Sequence, residues 1–379
     1  MRVLLIDKNL VDPVNLKKWN LLAMKDGIEL KAVTPSKWVE NFRILEFHPS
    51  RVAKFSIAPL RTFWPGFENR AFYLEGLGKE LRLFRPDVVV AFEEPFSLFG
   101  LQTTILARFY SLKTHIVFYT WDNLSKGTRY AYRPRKLYSS ILKFTVPRAS
   151  LVLAANEEAR DFMEKSFATP VRKVYFGIDL ETFRRSPSQS HPSVKFSFGK
   201  DFIVGYVGRL LKMKGVDTLL RALCGLQESV KLLVVGSGPE EKLLKNMAHE
   251  LDLAERVEFV PSVPTAQIPA YLAVMNALVL PSRTAPQWKE QYGRVLIEGM
   301  SCGVPVIGSD SGAIPEIIGD SGLVFHEGDE KSLAKAIEKL RCDLTLRDHL
   351  SEKGLTRSKE FSAEKFAEVM YGLLMELIR

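Results

Sequence analysis

The segment Glu290-Gln291-Tyr292-Gly293-Arg294-Val295-Leu296-Ile297-Glu298 places two carboxylates on either side of a Gly-Arg pair. A helix starting near Tyr292 would turn the N–H groups of Gly293, Arg294 and Val295 out of its N-terminus, where they lack intrahelical acceptors and offer an anion site. At a rise of about 1.5 Å per residue the two carboxylates then stand roughly 12 Å apart along the axis. That span suits a sugar at one end, a ribose at the other and a diphosphate between. It does not suit glycosidase chemistry, in which paired carboxylates flank one bond at about 5–9.5 Å. Carboxylates so spaced read as acceptors for vicinal sugar hydroxyls.

Two further segments of the same half carry compatible chemistry. Gly208-Arg209-Leu210-Leu211-Lys212-Met213-Lys214-Gly215 brings two cations, Arg209 and Lys214, to a glycine-bounded turn where they could clamp a diphosphate. Gly236-Ser237-Gly238-Pro239 is a tight turn in which proline opens the next helix. Taken singly, each has an ordinary reading: surface cations, a plain strand-to-helix turn, and, for Glu298, a solvated helix residue. In combination they point to one anion-and-sugar site.

The elements that must position these residues follow from hydrophobic patterning. Apolar β-branched runs alternate with helical patterns in both halves, which predicts an α/β fold of parallel sheets covered by crossover helices. The strands expected in the first half are Val3–Ile6, Val88–Phe92, His115–Thr120 and Leu151–Ala155. In the second they are Phe202–Val207, Leu232–Val235, Val257–Val260, Ala277–Leu280, Val304–Ile307 and Gly322–Phe325. Helices are expected over Lys331–Arg341 and Ala363–Leu377. Ligands of open α/β sheets sit beyond the carboxyl ends of the strands, which is where the three segments fall. The Ser- and Pro-rich stretch around 184–200 cannot continue either sheet. The expected division is therefore 1–185, a linker over 186–200, a second domain over 201–360 and a terminal helix over 361–379.

At these residues the chain resembles the large family 4 of retaining GT-B glycosyltransferases. The resemblance rests on Gly-Arg-Leu-x-x-x-Lys-Gly, Gly-x-Gly-Pro, Glu-x7-Glu with its trailing Cys-Gly-Val-Pro-Val, and Ser309-Asp310-Ser311-Gly312-Ala313-Ile314-Pro315-Glu316, and it covers roughly 176–328. It implies two Rossmann-like domains facing a central cleft, the first binding the acceptor and the second a nucleoside-diphosphate sugar. Arg209, Lys214 and the Gly293, Arg294 and Val295 amides would neutralise the diphosphate, with Gly208, Gly236 and Gly238 in the backbone that passes the donor. Glu298 would hold the ribose and Glu290 would face the transferred sugar, while the base would lie near Val260–Pro264. No cofactor beyond the donor and no metal is implied. Retention would come from same-face attack, the leaving phosphate accepting the proton, and the last helix would cross back to the first domain.

The first half departs from that family pattern. Where a glycine pair usually follows the first strand, Asp7-Lys8-Asn9-Leu10-Val11-Asp12-Pro13 stands, and the first glycine is Gly27. Lys8, Lys17 and Lys18 could supply charge instead, or lie exposed. The histidine that many members place at the end of the strand His115–Thr120 is replaced by Trp121-Asp122-Asn123. Asp122, Glu94 and its neighbour Glu93 are the carboxylates left to take the acceptor proton or to stabilise charge on the sugar, with closure bringing Asp122 and Glu94 toward Glu290. Their ordinary readings are a helix cap near Pro95 for Glu94 and a turn residue for Asp122.

Composition narrows the partners. Residues 1–190 hold 30 Lys and Arg against 19 Asp and Glu, whereas residues 191–379 hold 23 against 25. The densest basic run, Lys126 to Arg148 with Tyr130, Tyr132 and Tyr138 interleaved, suits an anionic membrane surface or a phosphorylated acceptor. The alternative of a solvated basic face stays open, and nucleic acid is not expected because the second half explains itself otherwise. No apolar run reaches the roughly 18–20 residues that span a bilayer, and no secretory signal opens the chain, so a cytoplasmic protein, peripheral on the inner membrane face, is expected. The three cysteines are widely spaced and odd in number, reading as reduced thiols, and neither they nor the six histidines form a metal-ligand pattern. The expected partners are a nucleotide-sugar donor and a glycan or lipid-linked acceptor. The alternatives are a non-catalytic nucleotide-sugar binder and an epimerase or phosphorylase of similar fold.

Overall fold

The computed structural model describes residues 1–40, 43–110, 113–123, 135–184, 192, 194–196 and 200–378. The chain forms two compact units, Met1–Asp179 together with Ser362–Arg379, and Leu180–Phe361. The division falls ahead of residue 185, and of the expected linker, 186–191, 193 and 197–199 lie outside the described residues.

The strands of the first unit are β1 (Arg2–Ile6), β2 (Glu29–Pro35), β3 (Lys37–Glu40), β4 (Arg43–Glu46), β5 (Ser56–Leu60), β6 (Thr62–Phe63), β7 (Phe72–Tyr73), β8 (Val88–Ala91), β9 (His115–Thr120), β10 (Leu151–Ala154) and β11 (Val171–Lys173). Seven of them make one parallel sheet in the order β11-β10-β9-β8-β1-β2-β5, and β3–β4 and β6–β7 are separate antiparallel hairpins. Strands β8 and β10, and β1 beyond Arg2, are apolar and buried, as a helix-covered parallel sheet requires. Strands β2 and β5 escape a reading by hydrophobic runs. β2 carries Glu29 and Lys31, and β5 carries Pro59, tolerated because β5 is an edge.

The second unit holds β12 (Phe202–Val207), β13 (Val230–Val235), β14 (Val257–Val260), β15 (Ala277–Leu280), β16 (Val306–Ser309) and β17 (Gly322–Phe325), all parallel in the order β14-β13-β12-β15-β16-β17. β16 begins two residues later than Val304 because Pro305 has no N–H, although its carbonyl still accepts from Leu278 N at 2.9 Å. The helix Glu330–Cys342 matches the expected one, and Leu344–Ser358 is a further helix whose weaker amphipathic pattern hid it.

The helix Ala363–Leu377 packs with the first unit, against the helix Lys17–Ala23. Ser362 caps it, its hydroxyl accepting from Lys365 N, and Ala363 N donates to Ile178 O at 2.8 Å. Its Phe366 ring meets the buried Trp19 edge-on at 5.1 Å. Truncating an aromatic so placed costs about 3–5 kcal/mol, enough to account for this helix staying with the first unit. Among the described residues no helix is long and apolar enough to cross a membrane.

Strand order reverses once in each sheet, between β1 and β8 in the first unit and between β12 and β15 in the second. The crevice beyond the strand ends at such a reversal is where open α/β sheets take ligands.

Candidate functional site

In the second unit the loops after β12 and β13 run against each other. Leu210 N donates to Ser237 O at 3.0 Å and Glu240 N to Leu210 O at 3.1 Å. A Cβ at Gly236 would overlap the Gly208 carbonyl oxygen, so only glycine permits this approach. The loop is anchored from below by Tyr206, whose hydroxyl donates to Arg209 O at 2.8 Å. Burial, and then the charge of Glu290, push that phenol well above its ordinary pKa, so it remains a donor. Arg209 itself is exposed. Beside this turn, Gly236 N bonds Val260 O and Ser262 N bonds the Ser237 hydroxyl, so the segment Val260–Pro264 adjoins the glycine turn.

Across the strand reversal, Lys214 and Glu290 meet. The Lys214 ammonium lies 2.6 Å from Glu290 Oε2 and 4.9 Å from the centre of the Trp288 ring. Ser282, which follows β15, donates its hydroxyl to the same oxygen at 2.7 Å, and Ala313 N donates to Glu290 O at 2.9 Å. Glu290 thus ties together the loops that follow β12, β15 and β16. Ser282 and Trp288 were not singled out from sequence; their position just past a strand end was the available signal.

The helix after this loop is Arg294–Ser301, starting later than Tyr292. Gly293 is its N-cap, held in the left-handed region at φ 66°, and no side chain caps the first turn. The helical measure of 12 Å between Glu290 and Glu298 is corrected accordingly: Glu290 lies in the loop, and between the two glutamates only Arg294 to Glu298 is helical. Those two residues are one turn apart, and Arg294 Nε donates to Glu298 Oε1 at 2.7 Å. Glu298 is no solvated helix residue; it is 6% exposed. Burial raises its pKa, with Arg294 opposing the rise. One turn on, burial and then Glu298 push the Cys302 thiol up to about 12, leaving it inert. Val295 is half-buried, and its amide and that of Arg294 belong to the uncapped first turn.

Asp122 and Glu94 belong to the first unit. Glu94 is buried and turns its carboxylate to the end of β9. It accepts from the Thr120 hydroxyl at 2.6 Å, from Trp121 N at 2.9 Å and from Asp122 N at 3.2 Å. The next helix is instead braced by Ser97, whose hydroxyl accepts from Gly100 N at 3.0 Å. Glu94 therefore fixes the backbone that carries Trp121 and Asp122, and Asp122 is buried at the strand end. His115 sits at the strand start, its Nδ1 2.9 Å from the Ser150 hydroxyl.

Glu93 faces the other way, toward β1. The Lys8 ammonium lies 2.8 Å from its Oε2, and Lys8 N donates to Oε1 at 2.8 Å. Both residues are buried, and the ammonium also lies 4.9 Å from the Trp121 ring. Burial pushes the Glu93 carboxyl up to about 7 against the pull of Lys8. Burial works to lower the Lys8 pKa, but Glu93, Glu68 and Asp7 outweigh it and hold the pKa above its ordinary value. Lys18 is likewise buried, 3.3 Å from the centre of the Phe176 ring and bonded to Phe176 O. Lys17 bonds Asp179 at 2.7 Å. None of the three lysines is the exposed cation that sequence allowed. Of the basic run, Lys126, Arg129, Tyr130, Tyr132 and Arg133 lie outside the described residues, while Lys136, Lys143 and Arg148 are exposed. Among the described residues no group of three His, Cys, Asp or Glu is placed to hold a metal ion.

Residues 188–357 match the family model for glycosyl transferases group 1. The D-inositol 3-phosphate glycosyltransferase of Corynebacterium jeikeium is 28% identical over 244 residues, 60% of this chain and 57% of the relative. The GDP-mannose-dependent alpha-(1-6)-phosphatidylinositol monomannoside mannosyltransferase of Mycolicibacterium smegmatis is 33% identical over 175 residues, 44% of this chain and 46% of the relative. The chain thus spans about half the length of the curated relatives it matches. The crystal structure of Anabaena HepE in complex with UDP superposes with a TM-score of 0.74 at 19% identity, covering 99% of this chain and 100% of that one. The chain has the GT-B fold of two Rossmann-like units, and its match to the group 1 glycosyl transferases lies wholly in the second.

Proposed function

We propose that the chain is a retaining, metal-independent glycosyltransferase that moves a sugar from a UDP- or GDP-linked donor to a glycan or lipid-linked acceptor presented at a membrane surface. The observation that carries this reading is the Lys214–Glu290 pair at the strand reversal of the second unit, close in sequence to an uncapped helix start. Arg209, Lys214 and the amides of Arg294 and Val295 gather positive potential where a diphosphate would lie, and Arg294 at the first helical position adds to the helix dipole. Arg294 engages Glu298 Oε1, which leaves Oε2 as the acceptor for a ribose hydroxyl. Glu290, braced by Lys214 and Ser282, is the carboxylate that would face the transferred sugar. Relatives named for GDP-mannose and for inositol phosphate or phosphatidylinositol support a nucleotide-sugar donor and a phosphate-bearing acceptor.

In the reaction the bond from the anomeric carbon to the diphosphate oxygen breaks. A bond to the acceptor oxygen forms on the same face, and the acceptor proton passes to the departing phosphate. The cations stabilise the charge that grows on the leaving group, and such preorganised groups are worth about 10²–10³ in rate each. Asp122, held by Glu94, is the first-unit carboxylate available to stabilise the sugar's developing positive charge. The test is turnover of labelled nucleotide sugars with the anomer of the product read by NMR. The expected result is a product of the donor's own configuration, with Glu290→Gln slowing turnover at least a hundredfold while nucleoside diphosphate still binds. An inverted product, or undiminished turnover in the variant, overturns it.

A further inference from the structure

The helix Leu98–Tyr110 is apolar on its outward face as well as its buried one. Its threonines, Thr103 and Thr104, are fully buried, and Thr104 satisfies itself by donating to Gly100 O at 2.9 Å. Its outward stripe is Leu98, Leu101, Gln102, Ile105 and Phe109, with Ile105 49% and Phe109 78% exposed. A surface helix ordinarily turns its polar residues to water. Beside it lies a cavity of about 340 Å³ lined by Phe72, Leu98, Leu101, Gln102, Ile105 and Leu106. The apolar surface continues onto the β6–β7 hairpin, where Phe63 lies 5.4 Å from Phe72 and 4.6 Å from Trp64. Trp64 is half exposed and held at φ 52°, a left-handed conformation rare for a bulky residue. Scattered apolar residues on a surface need no explanation, but a continuous patch with its own cavity does.

The charge beside the patch says what covers it. The helices Leu77–Phe84 and Arg135–Thr145 pack on either side of Leu98–Tyr110. Together the three carry Lys79, Arg82, Arg108, Lys136 and Lys143 against one acid among the described side chains, Glu80, which Lys31 engages at 2.6 Å. A second copy of the chain would bring the same positive charge to the contact and be repelled. An anionic lipid surface satisfies both features at once: basic side chains at the headgroups, aromatic and aliphatic ones at the acyl boundary.

The geometry points to a bilayer-docking face on the first unit, with Phe63, Trp64, Ile105 and Phe109 entering an anionic membrane and the flanking lysines and arginines engaging its headgroups. This rests on the reading that the acceptor is presented at a membrane, and it names the surface and the lipid charge involved. The full chain is to be co-sedimented with vesicles of phosphatidylcholine alone and of phosphatidylcholine with about one third phosphatidylglycerol. Binding to the anionic vesicles is expected, weakened by salt as their surface potential is screened. Ile105→Glu/Phe109→Glu is expected to lower it at least tenfold with an unchanged melting temperature, because both side chains are exposed. Lys136→Glu/Lys143→Glu is expected to erase the preference for anionic lipid. Absence of wild-type binding, or variants that sediment like wild type, overturns the proposal. So does a concentration-dependent dimer that the Ile105/Phe109 variant abolishes, which would give the face to a second copy. Turnover of soluble acceptors without vesicle binding would sink the docking face and leave sugar transfer standing; binding without turnover would do the reverse.

Discussion

Each unit reverses its strand order once, and at each reversal a lysine following the first strand of the pair meets a glutamate following the other: Lys8 and Glu93 in the first unit, Lys214 and Glu290 in the second. The surroundings differ. Lys8 and Glu93 expose 4% and 1% of their side chains, and the chain after β1 winds into short 3₁₀ turns, Lys8–Val11 and Pro13–Asn15, without a glycine. Lys214 and Glu290 expose 14% and 10%, and the loops around them are glycine-bounded and end at an uncapped helix. The same topological crevice holds the protein's own ion pair in both units, sealed in the first and less deeply buried, beside the exposed Arg209, in the second. The sealed crevice predicts consequences for folding; the looser one predicts consequences for binding.

The largest expected effect follows from removing half of the sealed pair. Above pH 7, where Glu93 is ionised, Lys8→Met leaves its carboxylate buried without a partner, and breaking such a pair typically costs about 3–5 kcal/mol. Urea unfolding of the single variant and of Lys8→Met/Glu93→Met reads this directly, and the double variant should lose far less than the sum of the singles. Additive losses would show that the two side chains do not act as a pair.

In the second unit Gly236→Ala drives a methyl group into the Gly208 carbonyl and forces the loops after β12 and β13 apart. A loss of about 1–3 kcal/mol in stability is expected from such overpacking, with a fall of at least tenfold in nucleoside diphosphate affinity. Unchanged affinity in a folded Gly236→Ala protein would detach the glycine turn from the site.

The last effect is a pH dependence. Glu93 keeps its proton up to about pH 7 in the folded chain, while the unfolded chain releases it near the ordinary carboxyl value. The folded state then binds more protons between about pH 4.5 and 7, so the Glu93 contribution lowers stability as pH rises through that window. Glu93→Gln lacks this contribution, so the stability of wild type relative to the variant should decline from pH 4.5 to 7 in urea titrations. A difference that stays flat, or grows, would place the Glu93 pKa near its ordinary value.

Much of this contrast was legible in the sequence for the second unit and little of it for the first. Phe202–Val207, Ala277–Leu280 and their neighbours are apolar β-branched runs, and the glycines, cations and carboxylates that follow them announce themselves by type and spacing. The start of the helix at Arg294 was misplaced because Gly293 reads equally well as a helical residue and as a left-handed cap, which only backbone geometry separates. In the first unit the decisive fact is burial of charge. Lys8, Lys18 and Glu93 look like surface residues to any reading by hydrophobicity, and they become interior ones only through partners far away in sequence, Lys8 with Glu93 and Lys18 with Phe92, Phe176 and Phe366. The outward apolar face of Leu98–Tyr110 was hidden for the converse reason: apolar residues fall on both faces, Phe99 and Ala107 inward and Ile105 and Phe109 outward, so no stripe in the sequence marks the exposed one.

The central claim is that the second unit's crevice holds a nucleoside diphosphate through Arg209, Lys214 and the helix start. Titration calorimetry of the purified chain with UDP and GDP tests it most directly. The account predicts saturable binding of at least one of the two, weakened at least a hundredfold by Arg209→Ala/Lys214→Ala and, at unchanged melting temperature, at least tenfold by Arg209→Ala alone, whose side chain is exposed, since each charge-assisted contact is worth about 1.5–3 kcal/mol. No heat of binding from either nucleotide, or equal binding by the double variant, would contradict it.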